Sequence, residues 1–357
     1  MIPKHLFSLD VLKGLAIILI PIVHLSGYGF SFLEETYFLD KTVDRLLAEF
    51  SLSLFVIASG FGLAYSSLIK GKQLQLLSFA KKRFMRIYPL YYLALFLFII
   101  LKIQPIDVPT LVAYLLGMQA LAGEYTHSWN ILWFIGLIVL YYMLFPFFLA
   151  ALKRNRLTLV LSALSILLIS LLIHHLFGLF SSSYFSYFLP FLFGIYFADY
   201  FKRKENVLGK HFESKVFLLF VLMCIIRATM PSLPSETDIF TPIPLNSLDI
   251  LIPNLTIGLN LLSHNLTQIF LFLTVFSMLL RVETIKPLII SRMSALGYAS
   301  YGVYLFHIPA YEAIKHLFGS FDPTMRSLLY LASIPLIFLG SYIIQKGYDK
   351  ILSRIER

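Results

Sequence analysis

The sequence predicts an all-α protein, a polytopic membrane helix bundle of about ten transmembrane helices with both termini on the cytoplasmic side. Three observations carry that expectation. The chain of 357 residues is 59% hydrophobic and only 13% charged, with a mean hydropathy of +0.82, a balance foreign to an ordinary soluble domain. Apolar stretches of roughly 20 residues, the length that crosses a bilayer as a helix, recur from end to end. Lysine and arginine gather in every second connection between those stretches, as topology requires.

The stretches centre on residues 9–30, 46–69, 84–103, 130–151, 157–177, 183–201, 215–231, 264–281, 296–318 and 326–346. With the N-terminus inside, the inner segments hold the block Lys70, Lys72, Lys81, Lys82, Arg83 and Arg86, the triplet Lys153, Arg154 and Arg156, and the run Lys202 to Lys215. The trio Arg281, Lys286 and Arg292 and the basic tail from Lys346 also fall inside, leaving only Lys41, Arg45, Lys102, Arg227, Lys315 and Arg326 outside. Residues 109–122, TLVAYLLGMQALAG, are apolar but too short to cross. They suit a re-entrant or interfacial segment, since an eleventh crossing there would send the KRNR run at 153–156 outside.

Lys4 and His5 precede the first stretch as in a signal peptide, but that stretch contains Pro21 and His24 and has no small-x-small cleavage site. It reads as a retained first span. No inverted repeat and no low-complexity linker is visible, so one integral domain over 1–357 without an appended soluble domain is expected. The net charge of +10 raises the question of nucleic acid. The basic residues lie in short clusters between apolar stretches, which speaks for topology and against a nucleic-acid partner. Cys224 is the single cysteine, which excludes an intramolecular disulfide and a cysteine-based metal cluster. No HExxH, P-loop, GxSxG or metal-spaced histidine set occurs, and no metal is expected.

Two outer segments are polar. One carries Glu34, Glu35, Asp40 and Asp44; the other, residues 229–263, has many prolines and no lysine or arginine. The second is either a cap over an outward-facing cavity or a solvated connector.

Three places hold side chains able to do chemistry. On the first helix, Asp10 and Lys13 stand at i, i+3. Lys13 and His24 are eleven residues apart, which returns them to within roughly 20° of one helix face at a separation of roughly 16 Å. With Lys13 at one surface, His24 falls near mid-membrane, where an imidazole is costly to desolvate and needs a polar cavity or partner. It is either a functional residue or a histidine bonding across helices. Pro21, three residues before it, removes a backbone hydrogen bond and can kink the helix. The second place is KKRFMRIYPLYY, residues 81–92, where Arg83 and Arg86 point the same way. Two guanidinium forks so placed suit phosphate, although basic residues at an inner helix end also satisfy topology alone. The third is His307, preceded by Tyr298, Tyr301 and Tyr304 and followed by Pro309. If its helix packs beside the first, two imidazoles approach one cavity; structural and catalytic roles both stand. For His174, His175 and His127, which lies near Trp129, interfacial anchoring suffices.

Five ordered segments resemble acyltransferase family 3, integral membrane proteins that move acyl groups, often acetyl, onto sugars. LDVLKGLAIILIPIVH resembles the family's Asp-x-x-Arg/Lys-Gly opening and its basic-x10-His motif, and SLFVIASGF its Leu-Phe-Phe-Val-x-Ser-Gly-Phe. RFMRIYPLYY resembles Arg-x-x-Arg-Ile-x-Pro-x-Tyr, LWFIGLIVLYYMLFP the Leu-Trp-Phe segment with a late Phe-Pro, and SYGVYLFHIP the Ser-Tyr-x-x-Tyr-Leu-x-His-x-Pro segment. The resemblance implies His24 as the catalytic histidine with Lys13 as its basic companion and Asp10 beside it, and His307 as an assistant. It implies that Arg83 and Arg86, with Lys13 and Lys82, receive a cytoplasmic acyl-CoA, acetyl-CoA foremost. The acceptor would be a hydroxyl of a surface polysaccharide, glycolipid or other glycoside, and the location the bacterial inner membrane. Two positions depart from the family. Ser53 stands where many members have Asp, and Val139 and Leu140 stand where one branch has Glu.

The competing expectation is a secondary transporter or exporter with His24 as a proton relay. A structural membrane partner without chemistry is the third. The enzyme reading makes a geometric demand: Lys13, His24, Arg83 and Arg86 should line one cavity open to the basic side.

Overall fold

The computed structural model describes residues 6–28, 41–71, 74–103, 107–123, 131–203, 212–229 and 251–355. Among them it is helical throughout, without a strand. Twelve α-helices follow one another: α1 Phe7–His24, α2 Lys41–Lys70, α3 Leu76–Ile100, α4 Val108–Leu116, α5 Gln119–Ala122, α6 Trp133–Arg154, α7 Arg156–Phe177, α8 Ser182–Arg203, α9 Phe212–Thr229, α10 Leu251–Ile285, α11 Pro287–Phe318 and α12 Pro323–Ile355. Each of the ten expected crossings falls on one long helix. Seven of these, α1, α2, α3, α6, α7, α10 and α12, are apolar and long enough to cross a membrane. The expected crossings on α8, α9 and α11 do not reach that apolar length among the described residues. For α8 and α11 burial explains the composition, because a helix enclosed by other helices needs no lipid-compatible surface. The leucine-rich α7 is the converse: Leu161, Leu164, Leu168 and Leu172 stand exposed, as a lipid-facing helix would present them.

In lipid the hydrophobic effect does not hold helices together, so close packing must. Two glycine pairs provide it. Gly60 of α2 lies against the Phe191 carbonyl of α8, and Gly194 of α8 against Ile57 and Phe61 of α2. Gly14 of α1 meets Leu296 and Gly297 of α11, while Gly297 abuts the Asp10 backbone. A Cβ at any of the four would collide with the facing chain. These crossings pair α2 with α8 and α1 with α11, and α1 joins the two pairs by packing on α2.

Glu283 of α10 sets the position of α1. Its carboxylate accepts from the Ser8 backbone N–H at 3.0 Å and from the Ser8 hydroxyl, an anion at a helix N-terminus where unpaired donors and the dipole favour it.

The segment 109–122 forms α4 and α5, of 9 and 4 residues, too short to cross. Asp107 caps α4 by accepting from Thr110 N–H at 2.9 Å, and Gly117 ends it at φ +67°, where a side chain would be strained. The last carbonyls of α4 are taken by tyrosines of α3: Tyr91 donates to Tyr114, Tyr92 to Leu115 and Tyr88 to Leu116. The tyrosines of RIYPLYY therefore supply donors to a helix end whose last carbonyls have no intrahelical partner. Pro89 leaves the Met85 carbonyl without its helical donor, and the Tyr348 hydroxyl of α12 supplies one.

Residues 29–40, with Glu34, Glu35 and Asp40, lie outside the described residues, as do 124–130 with His127 and 230–250 of the expected cap. The side chain of Asp44 lies outside them too.

Candidate active site

The basic end of the bundle opens into a cavity of about 1000 Å³ between α1, α2 and α3, with Tyr142 of α6 on its wall. Asp10, Lys13, Lys82, Arg83 and Arg86 line it together with Ser59, Ser66 and Ser78. Lys13 Nζ stands 3.8 Å from an Asp10 carboxylate oxygen, a pair one helical turn long and partly open to the cavity. Arg83 and Arg86 both reach this space, as their spacing predicts. Arg83 is also braced between aromatic rings, its guanidinium carbon 5.4 Å from the centre of Phe79 and 5.7 Å from that of Tyr142.

A second cavity of about 280 Å³ shares Asp10, Lys13, Ser59, Arg86 and Tyr142 with the first and extends to Tyr301, Tyr304 and Gln345. Tyr304 donates to the Ile131 carbonyl just before α6, and Tyr301 donates to Ile87 at 2.7 Å. Both tyrosines belong to the SYGVYLFHIP segment. They tie α11 to the segments that carry LWF and RIYP.

His24 and His307 come together because α1 lies along α11. Their ring centres are 5.2 Å apart at an interplanar angle of 57°. His24 Nδ1 is 2.8 Å from the Ile20 carbonyl, and His307 Nδ1 is 3.0 Å from the Val303 carbonyl. A carbonyl only accepts, so each Nδ1 carries the proton and each Nε2 presents the lone pair. His307 is fully buried, and its Nε2 has no hydrogen-bond partner among the described residues.

One expectation needs correction. The first stretch is not one continuous α-helix: α1 ends at His24, and Leu25–Tyr28 continue as a 3-10 turn. The change of winding sends the Leu25 N–H to Ile22, so Pro21 loses its usual partner, and the Tyr311 hydroxyl donates to its carbonyl at 3.1 Å. Of the four residues expected around one cavity, Lys13, Arg83 and Arg86 line the larger one together, and His24 is in neither of these two linings. Tyr304 of the small cavity's lining has its ring centre 6.3 Å from that of His307, which in turn packs on His24. His24 stands apart because of the length of α1: eleven residues put it a full roughly 16 Å beyond Lys13.

Other polar residues that the sequence reading passed over meet across helices elsewhere in the bundle. Glu49 of α2 lies 3.5 Å from His264 Nδ1 on α10, and the Gln268 amide donates to His264 Nε2. His264 and Gln268 are spaced i, i+4 in an apolar span, a signal of the same kind as Lys13 and His24. Glu283 was legible as the only acid in the sequence of α10. The Ser53 hydroxyl, at the position where many family members carry Asp, is turned onto the Glu49 carbonyl at 2.6 Å. Val139 and Leu140 are buried apolar core and supply no acid.

A helical bundle with apolar crossing helices, a basic cavity at one end and paired imidazoles beyond it defines a membrane protein built for group chemistry. The sequence pattern of an acyltransferase domain, the family that the five segments resemble, matches residues 6–346, and the chain belongs to this family, acyltransferase family 3. It is thus a membrane acyltransferase, and the match favours an enzyme over an exporter. Neither the curated proteins nor the solved structures contain a match to this chain.

Proposed function

We propose that the protein transfers an acyl group, acetyl foremost, from a cytoplasmic acyl-CoA to a hydroxyl of a surface polysaccharide, glycolipid or other glycoside. The observation that carries this reading is the cavity of about 1000 Å³ in which Lys13, Lys82, Arg83 and Arg86 converge. Four cations around one polar space suit the phosphates of coenzyme A, and guanidinium groups bind phosphate through paired donors. The smaller cavity behind it is narrow and tyrosine-lined, the shape expected for a pantetheine arm directed at the imidazoles. All ten long helices cross the membrane in this reading, with both termini on the cytoplasmic side of a bacterial inner membrane.

In the direct route, His24 Nε2 takes the proton of the acceptor hydroxyl while its oxygen attacks the thioester carbonyl. The carbon–sulfur bond breaks, and the departing CoA thiolate recovers the proton. In the relayed route, His24 Nε2 attacks the thioester carbonyl, the carbon–sulfur bond breaks and CoA leaves as its thiolate; the acceptor hydroxyl then attacks the acyl-imidazolium, the carbon–nitrogen bond breaks, and the hydroxyl proton neutralises the thiolate. His307, in contact with His24, orients it.

Transfer from radiolabelled acetyl-CoA is measured in membranes holding the wild type or His24→Ala. The reading requires labelled glycan with the first and none above background with the second; equal labelling would sink it.

A further inference from the structure

A second groove of about 900 Å³ lies on the other side of Arg83, between α3 and α6. Its lining is almost entirely apolar, with Phe79, Ile87, Met118 and Phe147 among its walls, and the charges it contains are Arg83 and Lys153. No acid lines it. Lys153 lies in the last turn of α6 and Val139, at the far end of the groove, fourteen residues earlier. The groove thus follows α6 for roughly 21 Å. One leaflet of a bilayer is about 15 Å of hydrocarbon, so this length matches one acyl chain with its headgroup at the basic end. The groove faces outward from the bundle, since Met143 is 52% and Phe147 67% exposed.

Arg83 adds an independent sign of a missing partner. Its Nε is buried and has no hydrogen-bond acceptor among the described residues, although the guanidinium is held in place by Phe79 and Tyr142. A fixed, buried donor without an acceptor is costly unless a ligand supplies one. The Arg83 side chain, with Leu74, Phe79 and Tyr142, belongs to the linings of both the groove and the polar cavity.

We propose that this groove holds an anionic phospholipid, its phosphate between Arg83 and Lys153 and one acyl chain along α6. The lipid completes the wall between membrane and cavity, and its phosphate supplies the acceptor that the fixed Arg83 Nε lacks. The charges select the occupant: two cations without an acid favour a net negative headgroup over a zwitterionic one, by roughly fivefold per cation.

The full-length protein, purified in neutral detergent and delipidated, is offered equal amounts of phosphatidylglycerol and phosphatidylethanolamine, and the retained lipid is counted by native mass spectrometry. The wild type should retain phosphatidylglycerol at least fivefold over phosphatidylethanolamine. Lys153→Ala should lower that ratio about fivefold, while Lys286→Ala, a basic-end lysine outside the groove, leaves it unchanged. Met143→Trp, which fills the groove and keeps both cations, should displace the lipid. Equal retention of the two lipids by the wild type, equal ratios in Lys153→Ala and Lys286→Ala, or undiminished lipid in Met143→Trp would each overturn the proposal.

Discussion

The two ends of α1 solve opposite problems. At the Lys13 end charge is kept in a wide polar cavity, where water and counter-charges reach Asp10, Lys82 and Arg86. At the His24 end the polar atoms are packed ring against ring: His307 lies on His24 and beside Tyr311, and Tyr311 and Tyr330 form an aromatic cluster with Tyr28. The first arrangement tolerates side-chain movement; the second does not. Binding a large polyanion needs only charge within reach, whereas acyl transfer needs an imidazole nitrogen in one place and one tautomer.

That contrast is broken most sharply at its tight end. His24→Ala should lower transfer by about 10²- to 10⁴-fold, the range of a general base, with the protein inserted and folded as judged by size-exclusion profile. A fall of less than tenfold would move the chemistry elsewhere. Next in size, Gly297→Val drives a side chain into the Asp10 backbone and should cost about 3 kcal/mol of stability through overpacking. Thermal unfolding in detergent reads the loss, and an unchanged midpoint would show that α1 and α11 are not packed glycine to glycine. At the open end, Lys82→Ala with Arg86→Ala should raise KM for acyl-CoA about tenfold with little change in kcat. Lost charge-assisted bonds to the donor are ground-state as well as transition-state losses, and a kcat effect without a KM effect would refute donor binding there. The smallest change is Tyr311→Phe. It removes the single hydroxyl that holds the Pro21 carbonyl and should cost about 1 kcal/mol, read as a kcat reduction of roughly fivefold with KM for acyl-CoA unaltered.

Much of the fold is legible in the sequence because it is one-dimensional information. The length of an apolar run gives the helices, and the shortness of 109–122 gives a segment that does not cross. Residue spacing along α3 likewise places Arg83 and Arg86 on one face. The closeness of His24 and His307 was conditional on one helix pairing, and Gly14 with Gly297 supplies it. What remained hidden depends on partners far apart in the chain. Nothing near Ser8 announces Glu283, and nothing near His264 announces Glu49. A tyrosine motif such as YPLYY looks like an interfacial belt until the carbonyls of α4 are found beneath it. The end of α1 at His24 was also hidden, because apolar residues continue past it and the change to a 3-10 turn is a property of local winding.

The bond from Glu283 to Ser8 and the glycine contact at Gly14 fix α1 at two points below His24, much as a keyed shaft is fixed in its housing. Everything beyond Gly14 is then indexed by residue count. One residue inserted between Leu15 and Ile20 would turn His24 by about 100° away from His307 and raise it by about 1.5 Å. Seven inserted residues would bring it back to within about 20° of its facing direction but lift it by about 10 Å, past its partner. The ten residues between Lys13 and His24 therefore act as a ruler as well as a compass: they set both the bearing of the imidazole and its distance from the charged cavity.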